Sequence, residues 1–394
     1  MQPWKALRLA FAAALIFSHT SLSRAHATHS ATDSDIRVRV DRVSRAFTLT
    51  GMGLRYPGSP VSVNLGFRAL RVSWTKAPRA SYYQWIIEDR DSGELLARFH
   101  SRKLEIAGMS MRVNLRSVPD RLTFFPVRAG ADLVATMDIE SYLKGVLPSE
   151  MPAKWPLESL KAQAVAARSY ALYKKSLRGK NHYDVESDVM DQVFVNPLGV
   201  SRADSKTANI ERALRETRGV VLVDRLNQPL PSYFHADCGG RTEEAQNVWG
   251  GGEKTGTAID ESCPLNPAAK WRVSLATREI ANRLRPGARL AAMEILERSE
   301  SGRVARLKFR WADDEETVLT GHEFRMSLGH ERIKSTNFDF VKQGSQFEIS
   351  GQGFGHGAGL CQWGAKKMAM KGSDYLEILQ HYYPKASLKE PARL

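Results

Sequence analysis

Apolar and polar residues alternate along the first third of the chain. Ile36 and Val38 are separated by arginine, and several similar short apolar runs follow. A period of two is typical of strands that bury one face. We therefore predict a β-rich accessory region over residues 28–130, in which Trp74 and Trp85 are expected in the core rather than on a sugar-binding face.

A helical period replaces this alternation at Asp138. Asp138 is a suitable N-cap residue, apolar residues recur at helical spacing as far as Leu147, and Pro148 is expected to end the helix. A second helix is predicted over residues 156–178, because no glycine or proline interrupts that segment after its first position. Glu150 is therefore expected in a short, rigid loop between two helices that each bury one face.

The remainder of the chain combines both periods. Residues 220–223 and 230–234 are predicted to be buried strands. Residues 270–350 are predicted to form a β-rich insertion or outer layer, with a short helix from Gly321 to Leu328. Together these patterns predict an α+β fold, with a cleft-forming catalytic domain over residues 131–394.

The first 27 residues have the pattern of an export signal. Lys5 and Arg8 precede the apolar stretch Leu9–Phe17, and a small-residue cleavage pattern ends at Ala27. The apolar stretch is shorter than the ~20 residues that a membrane-spanning helix needs. We expect residues 1–27 to be a signal peptide, the mature chain to have no transmembrane segment, and the protein to be secreted or periplasmic.

The charge of the chain favours an acidic partner. The formal net charge is +14 over 394 residues. An exported protein this basic is attracted to anionic cell-wall polymers or phospholipid head groups rather than to chromosomal DNA, so nucleic acid is not an expected partner. A basic surface that only keeps the protein in solution is an equal alternative.

Three cysteines, Cys238, Cys263 and Cys361, are an odd number for a compartment that permits disulfides. A disulfide between Cys238 and Cys263 is the favoured interpretation. The alternative is a zinc site with His235, Cys238 and Cys263 as ligands, together with Cys361. It is not favoured, because neither paired cysteine clusters nor a metalloprotease helix is present, and no cofactor is expected.

Glu150 is the residue that best fits acid catalysis, because prolines, apolar side chains and Trp155 surround it in the sequence. A carboxyl group with such neighbours is poorly solvated when ionised, so its pKa rises and it retains a proton near neutral pH. The structural alternative is a glutamate that caps the following helix. Glu140 and Glu158 lie in first helical turns and are better explained as helix stabilisers.

A glycine-rich segment surrounds His356. Glycine occupies every second position from 351 to 359. Such a segment is expected to be an irregular loop that turns several backbone N–H groups toward one ligand, a sugar oxygen or an anion. His235 precedes a second turn, at Gly239 and Gly240, where the backbone is able to approach a ligand closely.

Three longer motifs and one short element occur in a fixed order along the chain. They are Leu147-Pro148-Ser149-Glu150-Met151-Pro152 with the helix that follows, Asp191-Gln192-Val193-Phe194, Phe234-His235-Ala236-Asp237-Cys238-Gly239-Gly240, and Gly353-Phe354-Gly355-His356-Gly357 continuing to Gln362-Trp363-Gly364. In this order they resemble the stage II sporulation protein D family, whose members include proteins described as amidase enhancers. The resemblance extends over most of residues 131–394, and serine is common in the family where this chain has Cys238 and Cys361.

The resemblance implies a lytic transglycosylase. Such an enzyme cuts the β-1,4 bond between N-acetylmuramic acid and N-acetylglucosamine in peptidoglycan strands already stripped of their peptides, with Glu150 as the catalytic residue. A single acid is enough, because the C6 hydroxyl of the sugar attacks the anomeric carbon, whereas hydrolytic glycosidases use two carboxylates. The polar residues of the same motifs are the candidate substrate-binding residues: Arg168, Gln192, His235, His356 and Gln362.

Two other functions stay open at this point. The first is a wall-binding protein that recruits or stimulates an amidase without cleaving glycan, which the basic charge and the accessory region favour. The second is metal-dependent hydrolysis through His235 and Cys238, and it ranks last. It predicts that chelation abolishes turnover.

Overall fold

The structure is a computed structural model that describes residues 35–56, 63–66, 69–76, 81–188, 191–196, 208–250, 256–260, 266 and 269–389. The predicted signal peptide, residues 1–27, and Cys263 lie outside the described residues. Helices follow a large β-rich region, so the α+β fold class is confirmed.

The described residues contain the following elements in chain order. The strands are β1 (Asp35–Val43), β2 (Ala46–Tyr56), β3 (Val63–Gly66), β4 (Leu70–Lys76), β5 (Tyr83–Asp89), β6 (Leu95–Ser101), β7 (Leu104–Val113), β8 (Arg116–Ser117), β9 (Arg121–Val127), β10 (Gly130–Asp138), β11 (Val185–Glu186), β12 (Val221–Val223), β13 (Phe234–His235), β14 (Lys270–Ala276), β15 (Leu290–Arg298), β16 (Val304–Trp311), β17 (Glu316–Thr320), β18 (Phe338–Gln343), β19 (Gln346–Gln352), β20 (Leu360–Cys361) and β21 (Ser387–Lys389). The helices are α1 (Ile139–Glu150), α2 (Leu157–Arg178), α3 (Ala208–Glu216), α4 (Ala245–Trp249), α5 (Thr277–Leu284), α6 (Gly321–Leu328), α7 (Gln362–Met370) and α8 (Tyr375–Tyr382).

The accessory region is one antiparallel sheet wrapped around its own core. Its strands are ordered β1-β10-β9-β7-β2-β4-β5-β6, with β3 and β8 paired at the side. The alternating apolar residues point inward, where the rings of Phe47 and Phe124 stack with centroids 4.6 Å apart. Trp74 and Trp85 are buried in the same core, which agrees with the expectation that they pack rather than bind sugar.

Strands β1 and β10 connect this sheet to the helical unit. β11 adds to the edge of β1 in parallel, and the guanidinium of Arg37 pairs with the buried carboxylate of Asp184 at 2.5 Å. Ile36 and Val38 pack into the core of the helical unit rather than into that of the sheet. β10 leads directly into α1, so the sheet fixes where the first helix begins.

The first helix continues beyond the predicted stop. Asp138 caps α1 as expected, through bonds from the N–H groups of Glu140 and Ser141, but the helix includes Pro148 and ends at Glu150. The prediction of a loop at Glu150 was therefore wrong. Proline removes one N–H donor near the end of the helix, where the turn is still closed by Met151, which donates to Leu147 at 3.0 Å.

Helix α2 is the centre of the helical unit. It ends before Gly179, as expected, but from Ala162 to Ala171 every residue is buried, not only one face. Apart from Gln163 and Arg168 these residues are small or apolar, which is typical of a helix in the interior of a domain. Because its alanines are small, α1, α3, α7 and α8 all pack against α2. α2 therefore fixes the C-terminal end of α1 relative to α7.

Residues 270–352 form a compact layer with its own core. Strands β14, β19 and β18 form one sheet and β15, β16 and β17 another, with α5 and α6 packed on them. α6 spans Gly321–Leu328, as the sequence predicts, and begins with a capping box between Thr320 and Glu323. This layer lies against the helical unit beside the end of α1.

Two very short strands join distant parts of the chain. β13 pairs in parallel with β20, which sets His235 opposite Cys361. The strand predicted over residues 230–234 is shorter than expected, since only Phe234 and His235 pair. Pro231 lacks the N–H group that a longer ladder requires.

Candidate active site

A cavity of about 400 Å³ opens at the end of α1. Its walls come from Glu150, the loop at residues 191–193, the segment 233–236, α4, α6 and the glycine-rich segment before β20. No single stretch of the chain builds it. Of the six predicted site residues, Glu150, His235, His356 and Gln362 line this cavity.

Glu150 lies at the C-terminal end of α1, partly exposed to the cavity. Its Oε1 accepts a hydrogen bond from the N–H of Val193 at 3.2 Å, and its Oε2 accepts one from the Gln362 amide at 3.3 Å. Burial raises the pKa of the Glu150 carboxyl above its ordinary value, and these two hydrogen bonds offset part of the rise. The carboxyl is oriented at both oxygens and retains its proton more readily than an exposed glutamate.

The loop that supplies Val193 is held against α1 by close packing. The ring of Phe194 stacks on Tyr142 with centroids 5.5 Å apart, and Val195 donates to the carbonyl of Gly145 at 3.2 Å. A β-carbon at Gly145 would lie 2.5 Å from the Phe194 ring, so the contact requires glycine there. The position of the Glu150 carboxylate therefore depends on a loop some 40 residues further along the chain.

His235 and His356 are joined through the backbone of Ala358. The Nδ1 of His235 lies 3.1 Å from the Ala358 carbonyl, and the N–H of Ala358 donates to Nδ1 of His356 at 3.1 Å. Nδ1 is thus the protonated nitrogen of neutral His235, whereas neutral His356 carries its proton on Nε2. The two rings lie 5.5 Å apart.

His356 is held neutral by its surroundings. Burial lowers its pKa well below the ordinary histidine value, and the nearby His235, Arg325 and His322 lower it further. A neutral His356, which lines the cavity, carries a hydrogen-bond donor at Nε2.

Aromatic side chains form one side of the cavity. Trp249 stacks on Tyr233 with ring centroids 4.4 Å apart, and its ring lies 4.9 Å from that of His356. Trp249 is 41% exposed and Phe354 is 40% exposed, although both are large apolar side chains. Exposed aromatic faces in a cavity are suited to packing against the apolar face of a sugar ring.

Arg168 and Gln192 do not line the cavity. Arg168 is buried, pairs with Glu140 at 2.8 Å and donates to the Val220 carbonyl at 3.1 Å. Gln192 is also buried, accepting from the Tyr142 hydroxyl at 2.9 Å and donating to Ala167 at 3.1 Å. Their polar atoms are bound within the protein, which does not support the predicted contacts with substrate. Glu140 does more than stabilise a helix end, since it is the partner of Arg168.

A second carboxylate, Asp191, reaches the cavity wall and was not considered as a site residue from the sequence. Its oxygens are paired with Lys174 at 2.8 Å and Arg178 at 2.5 Å, and one accepts from the N–H of Glu186 at 2.8 Å. Two cations and one backbone N–H hold the Asp191 carboxylate in place. The signal in the sequence that pointed to Asp191 as a site residue was its position next to Gln192 in the short family element.

The glycine-rich segment does not offer a set of unused backbone donors. The N–H groups of Gly353, Phe354 and Gly355 donate to carbonyls of Ala269, Asp237 and Lys334, at 2.7 to 2.8 Å. The predicted ligand-binding loop of backbone amides is therefore wrong for these three. Glycine is needed for close approach instead: Gly355 has φ of +111°, and a β-carbon there would lie 2.7 Å from Cβ of His235.

One buried cluster has the donor atoms of a metal site. The ligand atoms of His235, Cys238 and Cys361 all lie within 4.8 Å of one another. Two thiolates and an imidazole are three of the four ligands that a structural zinc site uses. Cys361, one of the ligands of the zinc site considered from the sequence, belongs to this cluster. Cys263 lies outside the described residues, and so does the disulfide predicted between Cys238 and Cys263.

Two family models match parts of the chain that contribute to the cavity. The family model described as Stage II sporulation protein matches residues 128–223. A second family model, described as a domain of unknown function (DUF8618), matches residues 265–359, which include the outer layer and most of the glycine-rich segment.

Several curated proteins are similar over about two thirds of the chain. An uncharacterised protein of Brachyspira hyodysenteriae is 34% identical over 268 residues, 66% of this chain and 69% of the relative. The amidase enhancer of Bacillus subtilis is 28% identical over 298 residues, 62% of this chain and 40% of the relative. Stage II sporulation protein D of Bacillus subtilis is 26% identical over 276 residues, 67% of this chain and 78% of the relative.

Proposed function

Because the chain belongs to the stage II sporulation protein D family, we propose that it is a cell-wall enzyme, a lytic transglycosylase that cleaves peptide-stripped peptidoglycan strands. Its site of action is the secreted or periplasmic space in which that wall lies. Among the described residues, no helix is both long and apolar enough to cross a membrane. The observation that carries the proposal is Glu150, a carboxyl of raised pKa that is oriented at both oxygens within the cavity.

The proposed reaction uses Glu150 twice. Its proton goes to the glycosidic oxygen as the bond from that oxygen to the anomeric carbon of N-acetylmuramic acid breaks. The resulting carboxylate then takes the proton from the C6 hydroxyl of the same sugar, whose oxygen forms the new bond to the anomeric carbon. Glu150 ends protonated, as it began, and the product is a 1,6-anhydro sugar. The acid, the base and the nucleophile come from one residue and the substrate, so we assign no step to a cofactor.

The second carboxylate of the cavity is poorly suited to act as a nucleophile or a base. Both oxygens of Asp191 are used by Lys174, Arg178 and the N–H of Glu186. Two salt bridges and a backbone hydrogen bond would have to break before either oxygen could attack the sugar or accept a proton. This supports the lytic reaction over hydrolysis, which needs a second active carboxylate.

Product analysis tests the proposal directly. Peptidoglycan treated with an amidase and untreated peptidoglycan would each be incubated with the purified protein, and the fragments identified by mass spectrometry. We expect anhydro-muramic ends from the amidase-treated material only. Free reducing ends instead would indicate hydrolysis, with Asp191 as the candidate second carboxylate. Unchanged glycan length in both samples would refute enzymatic cleavage.

The pH dependence of cleavage follows from the raised pKa of Glu150. The reaction starts from the protonated acid, so kcat/KM should fall as pH rises through the Glu150 pKa, above the ordinary carboxyl range. His356, whose pKa is well below its usual value, should remain neutral throughout that limb. A pH profile, with circular dichroism at each pH to show that the fold persists, checks this. A limb at about pH 4.3, the ordinary glutamate value, would contradict it.

Trp249 is expected to contribute to substrate binding more than to chemistry. Its exposed ring is backed by Tyr233, so it offers a fixed apolar face to a sugar. Trp249→Ala should raise KM roughly tenfold, from the loss of apolar contact area, with little change in kcat. Trp249→Phe should retain most of the affinity. Equal losses in kcat and kcat/KM would instead indicate that Trp249 contacts the substrate only in the transition state.

A second candidate function is favoured by one comparison, since one relative is named an amidase enhancer. A protein of that kind binds the wall and increases the activity of an amidase partner. An amidase assay with and without the Glu150→Gln variant separates the two functions. Stimulation that survives in the variant, without glycan cleavage by the unaltered protein, would favour the enhancer function.

A further inference from the structure

The layer formed by residues 270–352 contributes a cation to the wall of the Glu150 cavity. Arg325 is in α6, two residues after the capping Glu323, and α6 is anchored by Phe324 in the core of the layer. Arg325 lines the cavity but is only 6% exposed. It lies outside the motifs that contain Glu150, Gln192, His235 and His356.

The hydrogen bonds of Arg325 go to backbone oxygens only. Nε donates to the carbonyl of Ile333 at 2.9 Å, and Nη2 lies 3.4 Å from the carbonyl of His330. Within the described ranges no carboxylate forms an ion pair with Arg325, although the exposed Glu331 lines the same cavity. Two carbonyls thus fix the direction of the guanidinium and leave its charge uncompensated.

An uncompensated buried cation is costly. Burial, with a contribution from Arg303, lowers the pKa of Arg325 to about 10, which still leaves the group charged at neutral pH. The neighbouring Arg303 is fully buried and donates to the carbonyl of Cys238 at 2.6 Å. Charges in such positions are generally paired, and where the protein supplies no anion a ligand is the natural source.

We propose that Arg325 forms an anion subsite of the cavity, which binds the free lactyl carboxylate of N-acetylmuramic acid. This inference rests on the proposed function. In a glycan strand stripped of its peptides, the lactyl carboxylate is the charged group of the sugar. Where a stem peptide is still attached, that carboxyl is an uncharged amide. Arg325 is therefore the residue that selects stripped strands over peptide-bearing ones.

Binding to the Glu150→Gln variant tests the subsite, because this background leaves the ligand intact. Two ligands would be titrated by calorimetry: a muramic-acid-containing tetrasaccharide with free lactyl carboxylates, and the same tetrasaccharide with these groups converted to methyl amides. With Arg325 present, amidation should weaken binding roughly tenfold or more, the usual effect of losing a hydrogen bond to a charged group. In Arg325→Met the two ligands should bind equally.

Two further variants serve as controls. Arg325→Lys retains the positive charge but lacks the planar guanidinium, so it should keep part of the preference for the carboxylate ligand over the amide. This variant tests the proposal even if Arg325→Met does not fold. Arg310→Met removes an exposed arginine of the same layer, away from the cavity, and should leave the discrimination unchanged. Equal affinity for both ligands with Arg325 present, discrimination that survives in Arg325→Met, or no binding of either ligand would each overturn the subsite. A failure of cleavage would appear only in the product analysis, since no bond breaks in this assay.

Discussion

The Glu150→Gln variant should lose glycan cleavage by about 10³-fold or more, because it removes the group that gives and then takes the proton. Glutamine has the same shape, and its Oε1 can still accept from the N–H of Val193. The other partner, the Gln362 amide, is able to rotate and present its oxygen to the new amide nitrogen. The fold should therefore persist, and the loss should lie in kcat at unchanged KM.

The control for this variant is a carboxylate outside the cavity. Glu158 lies in the first turn of α2, where it pairs with Lys161 at 2.8 Å. Glu158→Gln should cleave within about twofold of the unaltered protein, the range expected away from the chemistry. Anhydro product would be quantified for both variants at equal protein concentration. Full activity in Glu150→Gln would remove Glu150 from the mechanism.

The thermal stability of Glu150→Gln gives a second, independent readout. A raised pKa means that the folded state binds this proton more tightly than the unfolded chain does. Ionisation of Glu150 therefore destabilises the folded protein as pH rises above the ordinary glutamate range. Glutamine does not titrate, so the Tm of the variant should exceed that of the unaltered protein at pH 8, and the difference should shrink toward pH 4. A constant difference would mean that Glu150 is not poorly solvated.

The local patterns predicted the elements well where a pattern is long. The alternation that begins at Ile36, the cap at Asp138 and the helix from Gly321 to Leu328 all appear in the structure. The prediction that α1 ends at Pro148 was wrong because the rule for proline is local, whereas the last turn of α1 is held by Met151 and by packing of the loop at Phe194.

The cavity was harder to predict than the elements. His235 and His356 lie on segments joined by the two-residue strands β13 and β20 and by the single bridge between Asp237 and Phe354, and pairing so short leaves no periodicity in the sequence. Arg325 is one of many arginines in a basic chain, and only its burial distinguishes it. Arg168 presents the opposite case, since its motif suggested a substrate contact, whereas its side chain forms internal contacts with Glu140 and Val220.

Arg168→Met should unfold the protein at a markedly lower temperature. The guanidinium is 1% exposed, pairs with both oxygens of Glu140 and binds the Val220 carbonyl, so it joins α1, α2 and the start of β12. Its removal leaves the Glu140 carboxylate without its cation, and breaking a buried ion pair from one side costs about 3–5 kcal/mol. Urea unfolding followed by circular dichroism measures the loss.

The double variant Glu140→Gln, Arg168→Met separates an internal role of Arg168 from a substrate contact. If Arg168→Met destabilises the protein because the Glu140 carboxylate loses its cation, the double variant should regain a large part of the lost free energy of unfolding. The coupling energy between the two substitutions should be roughly 1–3 kcal/mol. KM for glycan should be unchanged in whatever fraction is folded, because Arg168 does not reach the cavity. A variant of normal stability with a raised KM would restore Arg168 as a substrate-binding residue, and it would require the region between α1 and α2 to open in the complex.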